Sequence, residues 1–315
     1  MDVSVIIPCR RAGRFASSML AQLSAQTFRG EWEAIFVDDA DPDLAEWRNE
    51  VERAGFRFLE SYGRGVSAAR NTALEAALGD VVLFVDVDDE IAPDYIERMV
   101  AAIDGVDFAW GDAEVREEGE LPRSSRSDAK GPSVGDVVEG GAVKDFVWRR
   151  CFGYRLRDLA NMALPGGLWR RTGREFGGVW ARAFRRSVIG DLRFVESLRN
   201  AEDSIFLCAY ALRARTMRVA GPVGYTYFLR RGGSLVRENR GARKLVSKFE
   251  LRDARRALDP GMERWRGSFL LSVLEVLRLG GVRAAFRYAT GRTLRLRRAQ
   301  RATWRAGCGF GIINP

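Results

Sequence analysis

The 315-residue chain contains no histidine. That absence removes the commonest general base near neutral pH and the commonest transition-metal ligand. Any chemistry therefore falls to carboxylates, hydroxyls, arginines or backbone groups. Cysteine is scarce as well: Cys9, Cys151, Cys208 and Cys308 stand far apart with no CxxC pairing. This argues against a zinc site or a disulfide framework and for four reduced, mostly buried thiols. No apolar stretch approaches the length of a membrane span, and the short run in "MDVSVIIPCR" follows no basic leader. The expected location is the cytosol.

What is present is an ordinary globular composition, 46% apolar, enough for one large domain or one domain with appendages. The net charge of +9 is unevenly spread. Residues 241–315 carry 17 Lys and Arg against 5 Asp and Glu, while the first 240 carry 34 against 37. The basicity belongs to the tail.

The first hundred residues alternate strand-like and helix-like segments. "VSVIIP" (3–8), "EAIFVD" (33–38), "FRFLES" (56–61) and "VVLFVD" (81–86) read as strands, three of them nearly continuous apolar runs of the kind buried on both faces. "RFASSMLAQLSAQ", "PDLAEWRNEVERAG" and "SAARNTALEAALG" between them carry apolar residues at helical spacing. The alternation predicts a parallel sheet with right-handed crossovers, whose ligands bind beyond the carboxyl ends of the strands. A helix in "PDYIERMVAAI" and a strand in "VDFAWGDAEV" follow. Residues 116–142, rich in Gly, Ser, Pro and charge, read as a long loop. Residues 179–189 read as a strand and a helix start, and 201–221 as a helix and a strand. The tail reads as helical, broken at Gly280 and Gly281.

The stretch "VVLFVDVDDE" runs a buried strand into Asp86, Asp88 and Asp89. Like charges this close repel by roughly 1 kcal/mol or more per pair even in water. A divalent cation relieves that repulsion, and oxygen-only ligands favour Mg²⁺ or Mn²⁺, which fill their remaining positions with phosphate and water. The alternative is that these aspartates punctuate a turn or begin a helix. Asp38 and Asp39 end a second strand, and Gly63 to Asn71 span a loop-to-helix entry at the same expected sheet edge.

The ordered set "VSVIIPCRR", "QTFRGEWEAIFVDDADPD" and "GRGVSAARNTALEAALGDVVLFVDVDDEIAPDYIERM" resembles family 2 glycosyltransferases, the inverting GT-A enzymes. The resemblance resumes at "VWARAFRRSVIGDLRFVESLRNAEDSIFLCAYALRA" and "YTYFLRRGGSLV" and covers about two thirds of the chain. It implies an α/β GT-A nucleotide-sugar-binding fold, Rossmann-like, with a mostly parallel central sheet flanked by helices, to which the residues themselves add a helical, Arg-rich C-terminal extension. The expected division is a catalytic region over 1–240 and the extension over 241–315. Within the former, 1–115 binds the nucleotide sugar, 116–145 is a flexible insertion and 146–240 is the acceptor half.

By the same resemblance, the backbone at Ile7 and Pro8, with Asp39, lines the nucleotide base, and Arg70 approaches the base or phosphates; otherwise Arg70 is an exposed arginine on a helix. Asp86 and Asp88 match the DxD motif: Asp88 binds Mn²⁺ or Mg²⁺ and Asp86 contacts the ribose or shares the ion, with Asp89 able to support either. Asp203 matches the general base, with Glu202 second, although an acidic first helical turn suits the helix dipole on its own. Arg230, Arg231 and Ser234 belong to a loop that would close over the diphosphate, or to a plain basic turn.

The sequence departs from the family in "CRRAG" after the first strand, in "ADPD" after "VDD", and in "VWARAF". None of these changes removes an expected carboxylate. The implied partners are a nucleotide-sugar donor, UDP-linked by expectation, and a glycan or lipid-linked acceptor. A sugar nucleotidyltransferase is the alternative enzyme, but it would need a Gly-rich loop where "IIPCRRAGR" has one glycine. Residues 241–315 would either pack on the catalytic region or bind an anionic membrane, placing the enzyme at the inner face of the cell membrane. No nucleic-acid motif accompanies the arginines, so no nucleic-acid partner is expected.

Overall fold

A computed structural model of the protein describes residues 1–10, 12–39, 45–117, 123–124, 132–152, 178–198, 200–229, 242–258 and 266–290. Its centre is a sheet whose strands bury side chains on both faces. Along β1 (Val3–Cys9), Val3, Val5 and Ile7 enter one core and Ile6 enters the other. Along β4 (Val81–Phe84), Val81 and Leu83 alternate in the same way with Val82 and Phe84. The period-two pleat sends neighbours to opposite faces, so a strand covered on both sides is largely apolar, and the buried exception on β1, Ser4, donates to buried Glu33 of the next strand (2.6 Å).

With β2 (Trp32–Asp38), β3 (Arg57–Glu60), β5 (Glu90–Ile91), β6 (Phe108–Glu117), β9 (Arg182–Arg185) and β10 (Thr216–Leu229), the sheet order is β3-β2-β1-β4-β9-β6-β10-β5. The pairs β3-β2, β2-β1, β1-β4 and β6-β10 are parallel, whereas β9 runs antiparallel to both its neighbours. The core on one face is closed by α1 (Gly13–Ser24), α2 (Ala45–Arg53) and α4 (Tyr95–Ile103). The other face is closed by α3 (Val66–Ala76), α5 (Gly141–Phe152) and α7 (Glu202–Arg213); the short α6 (Arg186–Ile189) follows β9.

Within the expected loop over 116–142, the described residues include strands. β6 continues to Glu117, β7 (Arg123–Ser124) pairs with it, and β8 (Val137–Glu139) pairs antiparallel with β10. Three residues of strand beside "GG" are too short for a periodic signal, and their partner lies far along the chain. β4 also stops two residues before Asp86, because the Asp86 N–H donates to the Tyr225 hydroxyl (3.2 Å) instead of continuing the ladder.

The tail contributes α8 (Ala242–Leu258) and α9 (Arg266–Ala289), the latter interrupted at Gly281, whose φ of 73° no helix accommodates. Leu251 and Ala254 of α8 join the core beneath α7, while Phe249 packs with Val276, Ala284, Ala285 and Tyr288 of α9.

Candidate active site

The carboxyl ends of β1, β2 and β4 bring together the carboxylates that the sequence singles out. At the end of β2, the Asp39 N–H donates to the Cys9 carbonyl (2.9 Å), which fixes the residue beside Pro8, itself buried on β1 opposite Val37. Asp39 Oδ1 accepts from the Gly65 N–H, and Asp39 Oδ2 is buried with no partner among the described residues. An acceptor oxygen left unpaired at a cost of ~1–3 kcal/mol is a natural receiver for a ligand N–H. Gly65 caps α3 at φ 98°, a conformation that strains any residue with a Cβ. Its N–H can therefore turn to Asp39.

Arg70 on α3 is not the exposed arginine that a helical first turn allows: its side chain is 3% exposed. Its Nη2 donates to Asp86 Oδ1 (3.1 Å), its Nη1 donates to Asp203 Oδ1, and Glu202 Oε1 lies 3.8 Å from Nη1. Burial alone would lower the guanidinium's pKa; the charges of Asp203, Asp86 and Glu202 outweigh it and hold Arg70 firmly protonated. Asp86 and Asp203 are 117 residues apart in sequence, yet one cation binds both.

Glu202 and Asp203 occupy the first turn of α7, entered through Ala201 in the left-handed region (φ 62°). Burial raises the Asp203 pKa to about 7, with Glu202 and Asp86 adding to the rise and Arg70 opposing it. Burial raises Glu202 as well. The Val179 N–H donates weakly to Asp203 Oδ2 (3.4 Å).

Asp89, which the sequence leaves open between helix start and ligand, starts no helix, since α4 begins at Tyr95. Its carboxylate is 3% exposed, with Oδ2 accepting from the Tyr225 hydroxyl (2.6 Å) and Oδ1 from the Phe228 N–H (3.0 Å). Burial, then Asp86 and Asp88, push its pKa well above the usual range. Asp89 ties the DxD turn to β10.

Several contributors carry no motif. Trp180 stacks on Tyr225 (5.5 Å, 13°) and on Tyr227 (5.0 Å, 12°), forming an aromatic wall beside the DxD turn. Asn71, next to Arg70, accepts from the Phe194 N–H (2.7 Å) and donates to the Phe194 carbonyl (3.0 Å) and Glu196 Oε1 (3.0 Å). The alternation of Tyr225 and Tyr227 in "YTYF" is a legible strand signal; the partners of Asn71 are not. Arg230, Arg231 and Ser234 lie outside the described residues, as does Arg11, and Arg10 is exposed. Two shallow clefts, one with Asp80, Arg186 and Arg193 and one with Asp2, Phe28 and Arg29, lie at the amino ends of β1 and β4 and share no residue with this cluster.

Among the described residues no three carboxylates, thiols or imidazoles form a closed cage for an ion. Of the two expected ion ligands, Asp86 has Oδ1 taken by Arg70 (3.1 Å); an oxygen-only pair of this kind would suit a hard divalent ion that completes its shell with diphosphate and water.

The family model described as Glycosyl transferase family 2 matches residues 4–162. The uncharacterized glycosyltransferase YibD of Escherichia coli K12 is 29% identical over 241 residues, 72% of this chain and 61% of that protein. A UDP-Glc:α-D-GlcNAc-diphosphoundecaprenol β-1,3-glucosyltransferase of E. coli, WfgD, is 28% identical over 117 residues, 36% of this chain and 46% of that protein. The chain thus spans less than two thirds of the length of these curated relatives. Among solved structures, Staphylococcus aureus TarS 1–349 in complex with UDP-GlcNAc superposes with a TM-score of 0.58 at 18% identity, covering 98% of this chain and 79% of that one. The shared architecture is the GT-A fold.

Proposed function

The chain belongs to glycosyltransferase family 2, and from that membership we propose that it moves a sugar from a nucleotide-sugar donor to an acceptor hydroxyl with inversion at the anomeric carbon. The observation that carries this reading is the joining of the DxD carboxylate Asp86 to the acidic pair Glu202 and Asp203 through buried Arg70. A donor-binding carboxylate and a poised base at one sheet edge are what a direct displacement requires.

In this reading the free Oδ2 of Asp39 accepts a base N–H, the backbone at Pro8 borders the base, and Asp86 holds the ribose. Asp88, with Asp86, would hold Mn²⁺ or Mg²⁺, which when bound neutralises charge on the departing diphosphate. Asp203 takes the acceptor hydroxyl's proton as the new C–O bond forms and the bond to the diphosphate breaks; the diphosphate leaves with that bond's electron pair. A base with a pKa of about 7 suits this task near neutral pH. Arg230, Arg231 and Ser234 would cover the diphosphate.

The name of WfgD, with its diphosphoundecaprenol acceptor, and the UDP-GlcNAc in the TarS structure support a UDP-sugar donor and a lipid-linked or polymeric acceptor in cell-surface glycan assembly. A lipid-linked acceptor suits an enzyme docked on an anionic membrane through its basic tail.

Titration calorimetry against UDP-, GDP- and dTDP-sugars with Mn²⁺ tests the reading. One nucleotide class should bind and be slowly hydrolysed, and Asp88→Ala should abolish both. Absence of binding across the panel, with Asp88→Ala indistinguishable from the natural chain, would exclude it.

A further inference from the structure

The geometry points to Arg70 as a positioning residue that locks the base Asp203 to the donor carboxylate Asp86, rather than as a group that touches the donor. The inference rests on the glycosyltransferase reading of those two carboxylates and assigns Arg70 a part different from the nucleotide contact that resemblance suggests.

Every polar atom of the guanidinium is turned inward. Nη2 is occupied by Asp86, Nη1 by Asp203 with Glu202 behind it, and Nε is buried with no partner among the described residues. One face of the guanidinium lies on the Phe194 ring, 5.2 Å from its centroid. At 3% exposure the guanidinium is closed off from solvent: both Nη groups are held by carboxylates, and Nε–H, unpaired among the described residues, is buried.

The support behind Arg70 is organised around the same task. Phe194 is fixed at both its N–H and its carbonyl by Asn71, the next residue on α3. The opposite connection of Phe194 is to Phe206, stacked at 4.0 Å and 3°, on the helix whose first turn carries Glu202 and Asp203. Helix α3 therefore reaches the base by two routes, the guanidinium and the ring on which it lies. Three carboxylates crowded at one point would repel and splay apart. A planar cation with nitrogens in a fixed fork holds two of them in defined directions, which a lysine's single ammonium cannot do.

The test uses the full chain and four proteins: the natural sequence, Arg70→Lys, Asp203→Asn and the double variant. Donor hydrolysis with Mn²⁺ gives kcat, calorimetry with UDP and Mn²⁺ gives Kd, and ligand-free thermal unfolding gives a midpoint for each. A positioning role predicts that Arg70→Lys lowers kcat by about tenfold to a hundredfold while Kd for UDP moves by less than about threefold. The double variant should turn over no more slowly than Asp203→Asn alone, because both changes disable one unit. Its unfolding midpoint should fall by less than the two single losses added together. If instead Kd rises about tenfold at constant kcat, Arg70 is a donor contact and the inference is wrong. Independent effects of the two substitutions on both kcat and midpoint would overturn it equally. A natural chain that neither binds nor hydrolyses any nucleotide sugar would sink the glycosyltransferase reading, and the additivity of the midpoints would still decide whether Arg70 and Asp203 form one unit.

Discussion

Asp203 shows how a single side chain is tuned by opposing effects. Burial disfavours its charged form, Glu202 and Asp86 add repulsion, Arg70 pulls the other way, and the balance leaves a pKa of about 7. A general base works only when deprotonated, so turnover should rise about tenfold per pH unit below 7 and level off above it. The kcat/KM profile from pH 5.5 to 8.5, which reports the free enzyme's groups, checks this, and a flat profile would remove Asp203 from the role. Asp203→Asn should lower kcat by about 10²- to 10⁴-fold with UDP affinity retained. The same shift has a stability sign. Because the folded pKa lies above the ordinary 3.8, the proton's contribution to stability is complete below about pH 4 and is lost as pH rises through about 7. Ligand-free thermal midpoints of the natural chain should therefore fall relative to those of Asp203→Asn across that window.

At the scale of elements, the DxD turn is held less by its own sequence than by β10. Tyr225 accepts from the Asp86 N–H and donates to Asp89, and Phe228 donates to the same carboxylate, so one strand grips the turn at three points. Tyr225→Phe leaves the buried Asp89 oxygen without its donor at a cost of about 1–3 kcal/mol. Urea unfolding should show that loss together with weaker binding of UDP and Mn²⁺; unchanged affinity would mean the turn holds its shape without β10. The grip was not legible in the sequence, because nothing local to "VDVDDE" announces a partner 136 residues away. What was legible depended on local pattern. Continuous apolar runs marked β1, β2 and β4 because both faces are buried, and 3.6-residue periodicity marked α3 and α4. The insertion of antiparallel β9 between β4 and β6 was not, since strand order is set by pairing across the chain. Asp39, Arg70, Asp86 and Asp203 could be nominated by motif, but that Arg70 turns inward depends on tertiary packing, which brings Asp203 and the Phe194 ring against it from far along the chain.

Over the whole molecule, charge and exposed apolar surface meet at one place. Residues 241–315 carry 17 Lys and Arg against 5 Asp and Glu, opposite in sign to the remainder of the chain. Helix α8 joins the core of the sheet through Leu251 and Ala254, but α9 leaves Leu274, Leu277, Val282 (75% exposed) and Phe286 (60% exposed) uncovered among the described residues. Beyond the break at Gly281, Val282 and Phe286 stand one turn apart, with exposed Arg283 and Arg287 beside them at the same spacing. Under the proposed membrane docking of the tail, this stripe would lie in the plane of an anionic bilayer surface. Each arginine near such a surface contributes about 1 kcal/mol, weakened by salt, and the apolar pair adds the burial of its side chains. The full chain should therefore sediment with vesicles containing anionic lipid and far less with purely zwitterionic ones. The double substitution Val282→Asp and Phe286→Asp should reduce that partitioning by about tenfold or more while leaving UDP affinity unchanged. Equal binding to both vesicle types, or binding insensitive to the substitutions, would show that the stripe serves another surface, and a concentration-dependent dimer lost in the same variant would identify that surface as a second copy of the chain.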